Sequence, residues 1–270
     1  MKTIVVPTDF TPASHNAGEY AASLAEVFSA GVELLHAFQL PIPIGNVPEP
    51  QLASASLRNA RQSRVNKQVT QLQTHHTVPV SGSAITGFPS DSLSSVAEDD
   101  EADLVVMGMK EHHKNKLTES TTLKMLRKSS RPLLVVPENS RFKPLKHLVL
   151  AVDFSQPIRE NCFEPLFAIA RKFDASVRVL HVVKNGAEIN PSDLPQKLQL
   201  EKALSPLTYF YNQVESDDIN KGILSFINSH PTDLLVMIAH RHRFFERLLG
   251  QSHTRAVCSG IKLPLLVLRG

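Results

Sequence analysis

ADLVVMGMKEHHKNKLTESTTLKMLRKSSRPLLVVP, residues Ala102 to Pro137, sets the order on which the rest of the chain is built. An apolar run from Leu104 to Met107 reads as a buried strand and meets Gly108. A polar loop follows, then helical spacing from about Thr118 to Ser129, then a second apolar strand from Leu133 to Val136. A strand that leads through glycine to a helix amino terminus gathers unpaired backbone N–H groups where an anion can be held. A weaker copy, TDLLVMIAHRHRFFERLLGQSHTRAVCSGIKLPLLVL, runs from Thr232 to Leu268, with Ile238 in the place of the glycine.

Working outward, the 270 residues are enough for two domains of ordinary size, and 42% hydrophobic residues supply a core for each. The net charge of +3 comes from 29 basic and 26 acidic residues mixed along the chain, so the concentrated basic face that nucleic acid requires is not expected. Cys162 and Cys258 have no metal or redox spacing and read as reduced packing residues inside helices. The opening MKTIVVPTDF enters a strand directly, and no run of about 18 apolar residues occurs; the expectation is a cytoplasmic protein without a membrane span.

In order, Thr3 to Val6 is a β-branched strand that ends in Pro7, Thr8 and Asp9. Ser14 is the expected N-cap of a helix whose apolar face is Ala17, Ala21, Leu24, Ala25 and Phe28, with Gly31 as its stop. A strand from Val32 to Phe38 leads into the stiff loop Pro41 to Pro50, which could cover a site. Leu52 to Leu72 reads as a long polar helix, Val78 to Ile85 as a strand, and Pro89 as the start of a helix to about Asp99.

At LKHLVLAVDFS, Leu145 to Ser155, the same order begins again. Asp9 recurs 144 positions on as Asp153, and His36 of ELLHAF recurs 145 positions on as His181 of RVLHVV. Asp103 to Asp233 spans only 130, so the second copy is shorter where the first carries its proline loop. Its third helix opens on Asp217 and Asp218, with Ile219, Ile223, Phe226 and Ile227 on one face. The expected division is residues 1–139 and 145–270. Strand and helix alternating five times in each demands α/β domains, each a doubly wound parallel sheet with helices on both faces. Ligands in such sheets sit beyond the strand carboxyl ends, where the strand order reverses, and Asp9 and Gly108 lie at such ends.

The strand ending VVPTDFTPAS, the run LLHAF and the block from DLVVMG to RKSSRPLLVVP resemble the universal stress protein family. The second half keeps AVDFS, VLHVV, DLLVM and PLLVL, so the resemblance covers essentially the whole chain as a tandem member. It implies two domains of the adenine nucleotide alpha hydrolase-like fold, joined as an internal pseudo-dimer through PLLVV and PLLVL, with a homodimer of the whole chain as a further option.

The resemblance also implies an ATP site, with magnesium, at Thr8, Asp9, Phe10, Ala37, Gly108, Met109, Lys110, Ser120, Thr121 and Thr122. Asp9 and Asp153 would meet the base or ribose edge. The family's ATP-binding stretch is glycine, two residues, glycine, about nine residues, then glycine followed by serine or threonine. This chain keeps Gly108 and Ser120 but has Glu111 and Glu119 where glycines would stand, and a carboxylate beside a phosphate is unfavourable unless a cation intervenes. The second copy has Ile238 and Arg241 at the first two positions and keeps Gly250, followed by Gln251 and Ser252; its pocket would suit a smaller anion, lined by His240, Arg241, His242 and Ser252 to Thr254.

The bland readings stand beside these. His36 and His181 read as core histidines. His112, His113, His240, His242 and His253 could gather at a metal, but loop histidines are commoner and no metal is assigned. Arg241, Arg243 and Arg247 fit a solvated face. No Ser, His and Asp set and no nucleophile elbow can be placed, so the expectation is a regulator with at most weak nucleotide binding rather than an enzyme; the alternative is a scaffold for a protein partner or another anionic ligand.

Overall fold

The computed structural model describes residues 1–40, 50–89, 91–93, 95, 102–110, 121–154, 159–183, 193–239 and 262–269. Ten strands form one sheet: β1 Thr3–Pro7, β2 Gly31–Phe38, β3 Val80–Thr86, β4 Leu104–Met109, β5 Leu133–Pro137, β6 His147–Val152, β7 Ser176–Val183, β8 Tyr209–Glu215, β9 Leu234–Ala239 and β10 Leu265–Arg269. Their spatial order is β3-β2-β1-β4-β5-β10-β9-β6-β7-β8. Every neighbouring pair is parallel except β5 and β10, which run antiparallel with Leu134 opposite Leu266. Each half is thus a five-stranded parallel sheet, and the halves meet through their last strands as expected, which covers two edges that would otherwise lie open.

The apolar runs are explained by burial on both faces. Helices α1 (Pro12–Phe28), α2 (Pro50–His75), α4 (Glu164–Phe173) and α5 (Leu194–Leu204) pack with one hydrophobic cluster; α3 (Thr121–Lys128) and α6 (Ile219–Ser229) pack with the other. Phe28 and Phe173, which end α1 and α4 at equivalent places of the repeat, meet edge to face at 6.4 Å. Phe142 of the connecting segment packs on Phe173 and on buried Tyr20.

The aspartate of each DL pair has a structural task that the repeat only hinted at. Asp103 accepts the N–H groups of Lys2 and Thr3 at the start of β1. Asp233 does the same for Lys146 and His147 at the start of β6, both at 2.9 Å, and also receives the Lys143 ammonium at 2.7 Å. Burial pushes the Asp233 carboxyl up, but Lys143 and the two N–H groups outweigh it and hold it below its ordinary value.

Several expectations are corrected. The N-cap of α1 is Thr11; Ser14 stands three residues inside and accepts the Thr11 N–H at 3.0 Å. Pro12 takes the first helical position, where its missing N–H costs nothing. The helix ends at Ser29, left-handed at φ 54°, while Gly31 already belongs to β2. Gly108 lies within β4 rather than after it. Cys162 is in a 3₁₀ turn, Glu160–Phe163, ahead of α4. Ile219 is 40% exposed, so the buried face of α6 is Ile223, Phe226 and Ile227, with Asp218 as N-cap. Pro89, 91–93 and Ser95 are helical. The rest of that helix, the proline loop before Pro50 and Cys258 lie outside the described residues.

Candidate functional site

The strand order reverses between β1 and β4: the chain steps outward from β1 to β2 and β3, then returns to the other side of β1 as β4 and β5. The crevice of a doubly wound sheet opens at that point. Asp9, just past β1, and Lys110, just past β4, face each other across it with Lys110 Nζ 3.3 Å from Asp9 Oδ2. Thr11 also holds Asp9, through its N–H at 3.1 Å and through its hydroxyl. Partial burial pushes the Asp9 carboxyl up, but Thr11, Ser14 and the Lys110 ammonium outweigh it, so the group stays below its ordinary value. Asp9 is therefore a charged, largely exposed carboxylate at the switch point.

The other expected residues divide between the faces of the sheet. Ala37 and Met109 pack at the edge of the cluster that holds α3. Thr122, in the first turn of α3, is buried and donates its hydroxyl to the Gly108 carbonyl at 3.1 Å. Thr121 beside it is half-exposed. Phe10 turns to the opposite face, where its ring packs on His36 at 4.4 Å beneath the Arg64 guanidinium at 4.2 Å. Its backbone is left-handed, φ 62°, a conformation that a bulky residue adopts only when its surroundings enforce it. Thr8 is buried; its hydroxyl donates to Gln68 Oε1 at 2.8 Å and accepts the Phe10 N–H at 3.1 Å. The switch point thus unites Asp9, Lys110, Gly108 and Thr122, while Thr8 and Phe10 serve the α2 side. Ser120, Glu111 and Glu119 lie outside the described residues, as do His112, His113 and the second-half stretch from His240 to Thr254.

Gly108 carries the sharpest geometric fact. A Cβ built on it would stand 2.2 Å from the Ala13 carbonyl oxygen and 2.4 Å from its carbon. The missing side chain therefore lets the first turn of α1 lie directly on β4. In the second half, Ile238 is 3% exposed and belongs to the cluster on the same face, while α4 begins only at Glu164.

Sequence reasoning missed the α2 contribution. Arg61, Arg64, Val65, Gln68 and Leu72 repeat at three- and four-residue spacing, and Val65, Gln68 and Leu72 are buried. That stripe was visible within the polar helix. His36 and His181 are buried as expected: His36 Nδ1 meets the Thr8 carbonyl at 2.8 Å, and His181 Nδ1 meets the Tyr211 hydroxyl at 3.2 Å. Burial lowers both imidazoles below their ordinary value. Satisfaction is incomplete in the first, because His36 Nε2 is buried without a hydrogen-bond partner. Among the described residues, no group of three His, Cys, Asp or Glu side chains could hold a metal, and no helix is long and apolar enough to cross a membrane.

Comparison with known proteins agrees with this architecture. The chain is 28% identical over 139 residues to a universal stress protein of Methanocaldococcus jannaschii, an alignment covering 50% of this chain and 81% of that protein. Its fold is similar to a universal stress protein from Archaeoglobus fulgidus (TM-score 0.74, 14% identity, 99% of this chain and 98% of that chain). It is also similar to a protein of unknown function from Pseudomonas aeruginosa (TM-score 0.53, 13% identity, 100% and 92%). The family model for the universal stress protein family matches residues 1–137 and again 144–269, and with two matches spanning nearly its whole length the chain belongs to that family, as a tandem of two such domains.

Proposed function

We propose that the protein is a cytoplasmic stress-response regulator whose first half binds an adenine nucleotide weakly, with magnesium, and which is not an enzyme. The observation that carries this reading is the Asp9–Lys110 pair at the switch point. A nucleotide there has a carboxylate for its hydroxyl-bearing end and an ammonium for its phosphates, but it must part the two to use them. Two further groups that would serve phosphate are committed within the fold: the Thr122 hydroxyl to the Gly108 carbonyl, and the bare Gly108 face to Ala13. Affinity should therefore be modest, with Kd on the order of 0.1–1 mM. These same commitments favour the second reading, a nucleotide-free scaffold that works through a protein partner or a different anion.

Titration calorimetry with ATP and magnesium separates the two. The expected result is weak binding by the wild type, stronger binding by Glu119→Gly, which removes one negative charge from the presumed phosphate path, and weaker binding by Lys110→Ala. Absence of heat in the wild type and in Glu119→Gly would eliminate the nucleotide and leave the scaffold.

A further inference from the structure

The ten-stranded sheet has two edges, β3 and β8, and the chain treats them differently. Val32 donates to the Pro79 carbonyl and Val177 to the Thr208 carbonyl, so alternate residues from Val80 and from Tyr209 turn their backbone groups outward. At β3 those groups are engaged by α2. Gln62 bridges the Gly82 carbonyl at 3.0 Å and the Ala84 N–H at 2.9 Å, and Gln73 donates to the Val80 carbonyl at 3.0 Å. Helix α2 has 26 residues with which to follow the strand, whereas α5, its counterpart, has 11.

At β8 the outward N–H and C=O groups of Tyr209, Tyr211 and Gln213 have no hydrogen-bond partner among the described residues. The strand, YFYNQVE, pairs with β7 without a bulge and contains neither proline nor lysine, the devices that blunt an edge. Exposed apolar side chains flank it. Phe210 is 51% exposed, and on α5 Leu194 and Leu198 share a stripe with Lys197 and Glu201. Lys197 lies over the Tyr211 ring at 4.4 Å, which sets that stripe along the edge.

We propose that β8 is where two copies of this chain join, antiparallel, about a two-fold axis at Tyr211, so that their sheets become continuous. An antiparallel pair exchanges hydrogen bonds only where outward-facing residues stand opposite each other. This axis achieves that with the unpartnered groups alone: Tyr211 meets Tyr211 of the second copy, and Tyr209 meets Gln213 on either side. The side chains match as well. Phe210 falls opposite Asn212 of the second copy, whose Oδ1 has no hydrogen-bond partner within its own chain. The Arg178 guanidinium, 5.5 Å from the Phe210 ring, supplies the donor. Lys197 and Glu201 place both signs of charge along the edge, so a second copy meets no single-sign field. The chain already joins β5 to β10 in the same antiparallel way, and with β3 covered by glutamines the association closes at two copies.

The test is sedimentation velocity of the full chain over a range of concentrations, joined to amide hydrogen exchange. The 29.9 kDa chain should pass from monomer to dimer with Kd on the order of 10–100 μM, and exchange at Tyr209, Tyr211 and Gln213 should slow as the dimer forms. Gln213→Pro removes one outward N–H from an edge position that tolerates proline. It should weaken association about 10-fold or more. Phe210→Lys, at an exposed position, should weaken it too and keeps the test decisive if the proline variant fails to fold. A wild type that stays monomeric at every concentration would overturn the proposal and leave the edge to a strand of another protein. So would a dimer with unchanged exchange at β8, or undiminished association in Phe210→Lys or in folded Gln213→Pro.

Discussion

Replacing Gly108 by alanine tests whether this glycine is present for the helix that lies on it. The added carbon would sit 2.2 Å from the Ala13 oxygen, 2.4 Å from the Ala13 carbon and 2.9 Å from the Ser14 nitrogen. A relaxed C···O contact needs about 3.3 Å, so the first turn of α1 must retreat by about 1 Å. The obstructing atoms are backbone, so no rotamer change relieves them. Gly108 does not have the positive φ that Gly87 has, so alanine meets no conformational penalty of its own there. At an unobstructed site the same change would stabilise by about 0.4–1 kcal/mol. Here overpacking should destabilise by about 3 kcal/mol, a fall in Tm of about 6–12 °C for domains of this size. Thermal unfolding of the full chain followed by circular dichroism gives the answer. A Tm equal to or above that of the wild type would refute the reasoning, because it would mean that α1 can lift from β4 without cost.

Three other perturbations follow from the same structure. His36 and His181 have lowered pKa values through burial, so as pH falls the unfolded chain takes up protons first; their stability contribution is complete above about pH 6.5 and declines below it. Urea midpoints between pH 7.5 and 5 should fall less steeply in His181→Phe than in the wild type, and parallel curves would count against this. Asp233 has the same sign in a lower window: burial raises its pKa but Lys143 and the His147 and Lys146 N–H groups lower it further, so its contribution is present at neutral pH and is lost only as pH drops below about 3.8. Asp233→Ala should cost about 1–3 kcal/mol at pH 7 by leaving two strand N–H groups without their acceptor, read as a lowered urea midpoint; an unchanged midpoint refutes the clamp. Residues 1–139 expressed alone would expose the β5 edge, and should dimerise or aggregate in analytical ultracentrifugation; a well-folded monomer would argue against β5 as an obligatory pairing edge.

The fold was legible because its determinants are local in sequence or recur at fixed offsets. Apolar runs such as LVVM and LLVV mark strands covered on both faces, and the recurrence of Asp9 as Asp153 reveals the duplication before any contact is known. The site was legible only in part. Asp9 and Lys110, both among the expected site residues, do lie 3.3 Å apart beyond the strand ends, since strand ends and switch points follow from topology. What Gly108, Thr122 and Phe10 touch depends on the α1, α3 and α2 elements folded over them, and one strand's sequence does not specify which backbone will lie against it. The boundaries of α1 failed for a related reason: Thr11 beside Pro12 makes a cap as good as Ser14, and a serine at φ 54° ended the helix where glycine was expected.

The divergence between the halves is best understood as coupled change rather than decay at single positions. In the first half the bare Gly108 admits the first turn of α1, and that turn brings Thr11 to hold Asp9 and, through Asp9, orients the pair with Lys110. In the second half a full side chain, Ile238, occupies the matching place in the core, and the matching helix begins later, at Glu164 behind a 3₁₀ turn. Either change alone is unfavourable: isoleucine under an α1-like turn would clash, and glycine beneath the shortened helix would leave a cavity costing about 2–5 kcal/mol. Together they are compatible. The last strands show the same coupling, since Pro137 ends β5 where Arg269 ends β10, and only the arginine can reach the carbonyls at the carboxyl end of α3 in the other half. Reverting Ile238 to glycine should therefore not by itself seat a helix turn on β9 as Gly108 does on β4, because the α-helix that packs on this face begins only at Glu164, behind a 3₁₀ turn.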